Sequence, residues 1–341
     1  VSLLLPILDG RPVLEKRMAS ILNQTFTDWE LVVVDSYSTD GSWEFLESYA
    51  EKDPRIKLHR NRERGIYVNF NQCIRLAAGE YVYFATCDDL MADDCIEKMA
   101  AALDANQSCG LAHCKLKIID NEDKPYPVIW DDYFIVKYYG DLIDREHVRT
   151  APHDGLLHFS GITVYTSLTQ LMIRKELFER IGYFLTDLGS IADYEWEMRA
   201  ALSTDTVHIP EYLAYWRIHE QQATDRDKML RARASGAFVK MAGLAVKSAK
   251  KINGDALKDY RFKDLSVLLQ KEKIHFQIRG TGNKWTRRLI KLKWLLLKPG
   301  LLIEWDRCRR ENKHFIDPNS FLSHIAERFK LDRYLKATTE A

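Results

Sequence analysis

The sequence predicts an α/β fold: a mostly parallel sheet flanked by helices, followed by a helical extension. Three observations predict the sheet. Short apolar segments alternate with helix-length segments over roughly the first hundred residues. The connections between them are brief. Each apolar segment is hydrophobic throughout rather than alternating, as a strand covered on both faces must be.

Val1 to Leu5 is the first strand and stops at Pro6. Leu14 to Leu22 reads as a helix. Leu31-Val32-Val33-Val34 is a second strand ending in Asp35, and a hydroxyl-rich loop, Ser36 to Ser42, leads into a helix carrying Trp43, Leu46 and Tyr49. Ile56 to Leu58 is a short strand, and Gly65 to Ala78 a helix. Gly79 then turns the chain into Glu80-Tyr81-Val82-Tyr83-Phe84-Ala85, a buried strand that runs into Thr86-Cys87-Asp88-Asp89. Residues 90–104 read as a helix and Cys109 to Asp120 as a strand and turn. Residues 121–160 are irregular and rich in aromatics. Thr163 to Ile173 is strand-like, Lys175 to Ile181 helical, and Ala192-Asp193-Tyr194-Glu195 opens another helix. His208 to His219 closes this part with Tyr215-Trp216-Arg217-Ile218-His219.

Two strands thus end in carboxylates, at Asp35 and at Asp88-Asp89. Right-handed crossovers put both on one sheet edge, where open α/β sheets bind ligands. Carboxylates there suit a hard cation shared with a phosphate. The plainer alternative is that the acids cap the helices that follow.

The 341 residues are 46% hydrophobic, enough for a large core. No apolar run reaches the length of a membrane span. The six cysteines lack CxxC spacing, and His113-Cys114 beside Cys109 has no second ligand pair, so reduced core thiols and a cytoplasmic setting are expected. The net charge of +1 conceals a split. Residues 226–341 carry 28 Lys+Arg against 12 Asp+Glu, and the rest of the chain carries 22 against 37. A domain boundary is therefore expected near residue 225, with a 1–225 catalytic unit and a basic, mainly helical 226–341 region that meets an anionic surface. No recognisable nucleic-acid-binding module accompanies the charge.

Val1 to Asp9, Gln24 to Asp35, Ser38-Thr39-Asp40-Gly41-Ser42, Gly65, Asn71, Ala78-Gly79-Glu80-Tyr81, Asp88-Asp89, Ala192-Asp193-Tyr194-Glu195 and Tyr215 to His219 occur in that order. Together they resemble a family 2 glycosyltransferase of the GT-A fold, of the bacterial surface-glycan type, over about residues 1–224. The resemblance implies inverting, metal-dependent transfer of a sugar from a nucleotide-diphosphate sugar, a UDP-sugar first among them. The acceptor is a hydroxyl of a glycan or lipid-linked glycan. It implies that Pro6, Ile7, Leu8 and Asp9 lie against the nucleoside, that Asp35 accepts from the base, and that Arg64, Asn71, Cys87 and Asp88 contact the nucleotide sugar. Asp88 and Asp89, with His219, are the implied ligands of Mn²⁺ or Mg²⁺. Asp193 is the implied catalytic base, with Glu195 as runner-up. The family's common Asp-x-Asp-Asp is Thr86-Cys87-Asp88-Asp89 here, so its first acid is missing. That departure keeps a catalytically degenerate nucleotide-sugar-binding scaffold as an alternative. A nucleotidyltransferase is a weaker one, because Pro6 to Arg11 is a poor phosphate loop.

In the basic region, Trp285, Leu289, Leu292 and Leu296 share one face of a helix that Pro299-Gly300 ends. Two readings stand open for it: an in-plane helix in peripheral contact with an anionic membrane, on the inner face of the cell membrane, or a helix packed on the catalytic unit.

Overall fold

The computed structural model describes residues 1–219, 237–252, 254–258, 270–310 except positions 272, 276 and 280, and 318–337. The expected boundary near residue 225 lies outside the described residues.

The first four strands are parallel, as the apolar runs require. β1 (Ser2–Ile7) lies between β2 (Glu30–Asp35) and β4 (Tyr81–Phe84), and β3 (Ile56–Arg60) flanks β2. Helices α1 (Arg11–Leu22), α2 (Ser42–Ala50) and α3 (Ile66–Leu76) make the crossovers. Every residue of β1 and β4 is buried. The turn into β4 needs Gly79, because a Cβ there would sit 2.8 Å from the Ser2 backbone nitrogen.

Beyond β4 the sheet is mixed. β6 (Cys109–Ile119) is separated from β4 by the antiparallel β8 (Leu171–Arg174), and so runs parallel to β4. β9 (Asp205–Arg217) pairs parallel with β6, and β7 (His147–Arg149) antiparallel with β9. The ends of β1, β2, β4 and β9 therefore share one edge. The expected helix over 90–104 begins later. Leu90–Met91 form β5, paired with Tyr215 and Ala214 of β9, and α4 spans Cys95–Ala105. The strand expected from Thr163 is confined to β8, because Ser167 and Gln170 build a reciprocal capping box just before it. The irregular 121–160 stretch contains α5 (Phe134–Tyr139), β7 and α6 (His153–Leu157).

α7 (Glu176–Ile181) leads by a turn to α8 (Ala192–Ser203), which runs into β9 through Thr204. That short connection sets α8 antiparallel to β9, so its first turn lies at the shared edge. Aromatics fix it there. Trp196 stacks on Phe178 at 4.4 Å between ring centres, and Phe184 bridges Trp196, Phe84 and Phe70.

The basic region forms α9 (Ala237–Ile252), α10 (Lys284–Leu297), α11 (Pro299–Arg310) and α12 (Pro318–Phe329). α9 packs its apolar face into the main core, with Phe238, Met241 and Ala245 buried. After α12 the chain ends in β10 (Leu335–Ala337), which pairs antiparallel with β7. Ile274, Ile278, Trp294 and Trp305 make a second, separate core.

Candidate active site

The shared edge begins at the end of β1. Pro6 and Ile7 are buried in the strand, whereas Leu8 and Asp9 face outward, Asp9 with φ of 51°. Carboxylates pin the hydroxyl-rich loop beside it. Thr39 N donates to Asp9 Oδ1 at 2.8 Å, and Asp9 N donates to Ser38 Oγ at 2.9 Å. Asp35 is fully buried. It accepts from Ser38 N at 3.1 Å and lies 3.4 Å from Arg60 Nε. In this arrangement its carboxylate braces the loop. Asn71 is likewise consumed. Its amide donates to Phe184 O at 2.9 Å and accepts from Phe184 N at 3.0 Å, which ties α3 to the segment before α8. Arg64 is exposed and makes no hydrogen bond or ion pair with the described residues. Cys87 lies beneath the β1 loop, where a Cβ on Gly10 would stand 3.6 Å from its Sγ, and burial pushes its thiol up to about 12.

The adjacent acids have opposite environments. Asp88 is partly exposed, and its Oδ2 is 3.0 Å from His219 Nε2. Asp89 is 2% exposed, accepting from Thr86 Oγ1 at 2.5 Å and from Arg217 N at 2.9 Å. Burial, reinforced by the Asp88 charge, pushes the Asp89 carboxyl up from the ordinary range. In this arrangement Asp89, unlike Asp88, does not present its carboxylate at the open edge. The carboxylate points inward, and Thr86, standing where the family's first acid would be, holds it there. Arg217 is no free diphosphate clamp either. Nearly buried, it donates to Asp88 O at 2.8 Å and pairs with Asp123 at 2.5 Å. Sequence reasoning missed Arg17, fully buried on α1 with Nη1 3.4 Å from Asp89 O. Its position on the apolar Leu14-Met18-Ile21 face was the available signal.

Asp88 and His219 offer one oxygen and one nitrogen at an open position, a donor pair that suits Mn²⁺. Among the described residues no group of three or more metal-binding side chains occurs. Diphosphate oxygens and water would have to complete such a shell, as is usual for a metal that works on a phosphate ester.

Asp193 opens α8 and is partly buried. Desolvation pushes its carboxyl up to about 6, against the hydrogen bonds it accepts from Tyr194 N, at 2.7 Å, and from the Tyr67 hydroxyl. Tyr67, on the first turn of α3, is a second residue that sequence reasoning missed. Glu195 points the other way, into a buried pair with Arg199 at 2.8 Å. Arg199 in turn donates to Tyr183 O at 2.8 Å, so the Glu195–Arg199 pair anchors the turn before α8. The runner-up Glu195 is thus engaged by Arg199 in this arrangement.

Behind this half of the edge lies a buried polar layer. Asp154 accepts from Tyr139 and Tyr165 hydroxyls at 2.8 and 2.9 Å and from His153 Nδ1 at 2.6 Å, and it forms an ion pair with Arg149, whose Nε lies 2.9 Å away. His113 and His208 share a hydrogen bond of 3.0 Å between their Nδ1 atoms. Burial holds His113, His147, His158 and His208 below the usual imidazole range.

Residues 2–181 match the family model for glycosyl transferase family 2. The chain belongs to that family. It is thus an enzyme that transfers sugar from a nucleotide-sugar donor. The putative teichuronic acid biosynthesis glycosyltransferase TuaG of Bacillus subtilis is 29% identical over 126 residues, covering 37% of this chain and 50% of that protein. An uncharacterized protein of Mycobacterium tuberculosis, MT1568, is 24% identical over 68% of this chain and 71% of its own. Residues 1–349 of TarS from S. aureus, solved with UDP-GlcNAc, align with a TM-score of 0.55 at 16% identity, over 96% of this chain and 91% of that one. This last likeness is one of fold. It agrees with the GT-A architecture and the helical extension.

Proposed function

We propose that this glycosyltransferase inverts the anomeric carbon of a nucleotide-diphosphate sugar, with Asp193 as its base. The observation that carries the reading is a desolvated carboxylate at the same sheet edge as the Asp88–His219 pair. A general base works best with a pKa near the working pH, and a carboxyl raised toward 6 approaches it. The acceptor hydroxyl oxygen attacks the anomeric carbon from the face opposite the diphosphate. The carbon–oxygen bond to the diphosphate breaks, and its electron pair leaves with the diphosphate. The hydroxyl proton passes to Asp193. Tyr67 orients the carboxylate and favours its charged form. Leu8, Asp9 and the loop braced by Asp35 form the nucleoside side of the cleft, and Cys87 underlies it. Arg64 is free to reach the donor. Asp88 and His219 would hold a divalent cation, Mn²⁺ or Mg²⁺, whose chemistry is to offset charge on the departing diphosphate.

UDP-sugar is the first donor to test, with TarS as the fold-level precedent. The glycan or lipid-linked glycan acceptor and a role in polysaccharide assembly follow the partial similarity to TuaG. Its site of action would be the cytoplasm and the inner face of the membrane. The division into a catalytic unit to about residue 225 and a basic 226–341 region is kept as part of the proposal for residue function, although β10 rejoins the sheet. Calorimetry with UDP-, GDP-, dTDP- and CMP-sugars, with and without Mn²⁺, tests the donor. Metal-dependent binding of one of them is expected. A folded protein that binds none would favour the degenerate scaffold.

A further inference from the structure

α10 is held by one face only. Trp294 is buried in the small second core, and its Nε1 donates to Gln277 Oε1 at 2.9 Å. The opposite face is open: Trp285 is 70% exposed, Leu289 64%, Leu292 52% and Leu296 76%. These residues recur at helical spacing, so they form one stripe. Ile303 of α11 is exposed as well. Beside the stripe lies a cavity of about 580 Å³, lined by Arg279, Lys284, Arg287, Arg288 and Lys291 over the Trp305 ring. Among the described residues no carboxylate lines it, and none pairs with any of the five cations. Arg287 Nε is spent on Thr281 O at 2.6 Å, while Arg288 and Lys291 lie over the faces of Trp285 and Trp305. Positive charge extends further: Lys273 is held below the usual ammonium range by partial burial and by Lys293, Lys240 and Lys298.

We propose that α10 docks the enzyme on an anionic phospholipid bilayer, its cationic cavity taking a lipid phosphate while Trp285, Leu289, Leu292 and Leu296 enter the acyl boundary. The charge and the apolar stripe are both needed for this choice. A nucleic acid would use the cations but gain nothing from three exposed leucines. A neutral apolar partner would leave five cations without counter-charge. Trp at the edge of such a stripe suits the headgroup level. Among the described residues no helix is long and apolar enough to cross a membrane, so the contact is in-plane. The inference extends the reading of a lipid-linked acceptor by naming the surface that brings enzyme and acceptor together.

The test is flotation of the full chain with phosphatidylglycerol–phosphatidylcholine vesicles and with phosphatidylcholine alone. It requires neither donor nor acceptor, so its failure would leave sugar transfer standing, and failure of donor binding would leave docking standing. Binding is expected only to the anionic vesicles. R287E/R288E and, separately, L289N/L292N should each weaken it at least about tenfold, because the substituted side chains supply the electrostatic and the apolar parts of the contact. Circular dichroism checks that these surface variants fold. Equal binding to both vesicle types, or none to either, would overturn the proposal. Unchanged binding in L289N/L292N would reduce the site to a phosphate pocket and also overturn it. Concentration-dependent self-association abolished by L289N/L292N, without vesicle binding, would assign the stripe to a second copy instead.

Discussion

The two halves of the sheet are built on different physics. Under β1, β2 and β4 the core is apolar. Leu3, Leu4, Val32, Val33, Val82 and Phe84 are fully buried, and position follows from burial. Under β6, β7 and β9 the interior holds Arg149, Asp154 and several histidines, whose burial is offset in part by the Arg149–Asp154 ion pair and the His113–His208 hydrogen bond. The end of β1 rests on the first half, whereas α8, which carries Asp193, packs on both, through Phe184 against Phe84 and Phe70 and through α6 on the polar side. An apolar half tolerates losses one contact at a time. A polar half fails when any partner is removed.

The largest expected effect is chemical. Asp193→Asn should lower kcat by about 10²–10⁴-fold while leaving donor affinity intact, which steady-state kinetics and calorimetry would check together. Near-normal turnover would transfer the base to another group. Next comes stability. Asp154→Ala leaves Arg149 buried without its counter-charge and should cost about 3–5 kcal/mol in urea unfolding. Adding Arg149→Met should recover much of that loss. Leu4→Ala in the apolar half should cost about 2–5 kcal/mol and gain nothing from Arg149→Met. If the two half-sheets respond alike, the contrast fails.

Acid should distinguish the halves in the same way. His147 and His158 are held near 4 by burial, below the unfolded value of about 6.5. Unfolding therefore takes up protons between those values. The stabilisation is complete above pH ~6.5 and is lost as pH falls towards 4, on the order of a few kcal/mol. Hydrogen exchange should show β7 and α6 opening before β1 and β2 over that range. The smallest effect is expected for Tyr67→Phe. Losing a hydrogen bond to the charged carboxylate should raise the Asp193 pKa. The acidic limb of the kcat profile, set by a group near 6, should move up in pH, with turnover at neutral pH falling only a few-fold.

The same division governs what could be read from the sequence. Leu31 to Val34 and Tyr81 to Phe84 announce themselves as buried parallel strands because their side chains face the same apolar surroundings on both sides. The sheet-edge placement of Asp88 and Asp193 could also be read, because one follows a buried strand and the other opens a helix. Their neighbours were not. Whether a carboxylate faces outward or inward depends on its partners, and Asp89 meets Arg217 from 128 residues away. Asn71 meets Phe184 across a similar separation. β7 and the histidine layer left no periodic trace, since His147, His153 and His208 resemble surface residues until the sheet encloses them. β10 is three residues long and gains meaning only beside β7.

That last pairing changes what the basic region is. Ile325 and Leu331 are fully buried in the main core, and Thr150 N and Oγ1 both donate to Tyr334 O. The α10–α11 hairpin is consequently a loop-out between two points of attachment, α9 before it and α12 with β10 after it. A shortened protein ending near residue 225 would expose the flank of β7 and strip the cover from α6. An internal excision of 281–310, closed by a flexible joint, would keep both attachments and remove the hairpin together with the Trp294 and Trp305 that cover Ile274 and Ile278.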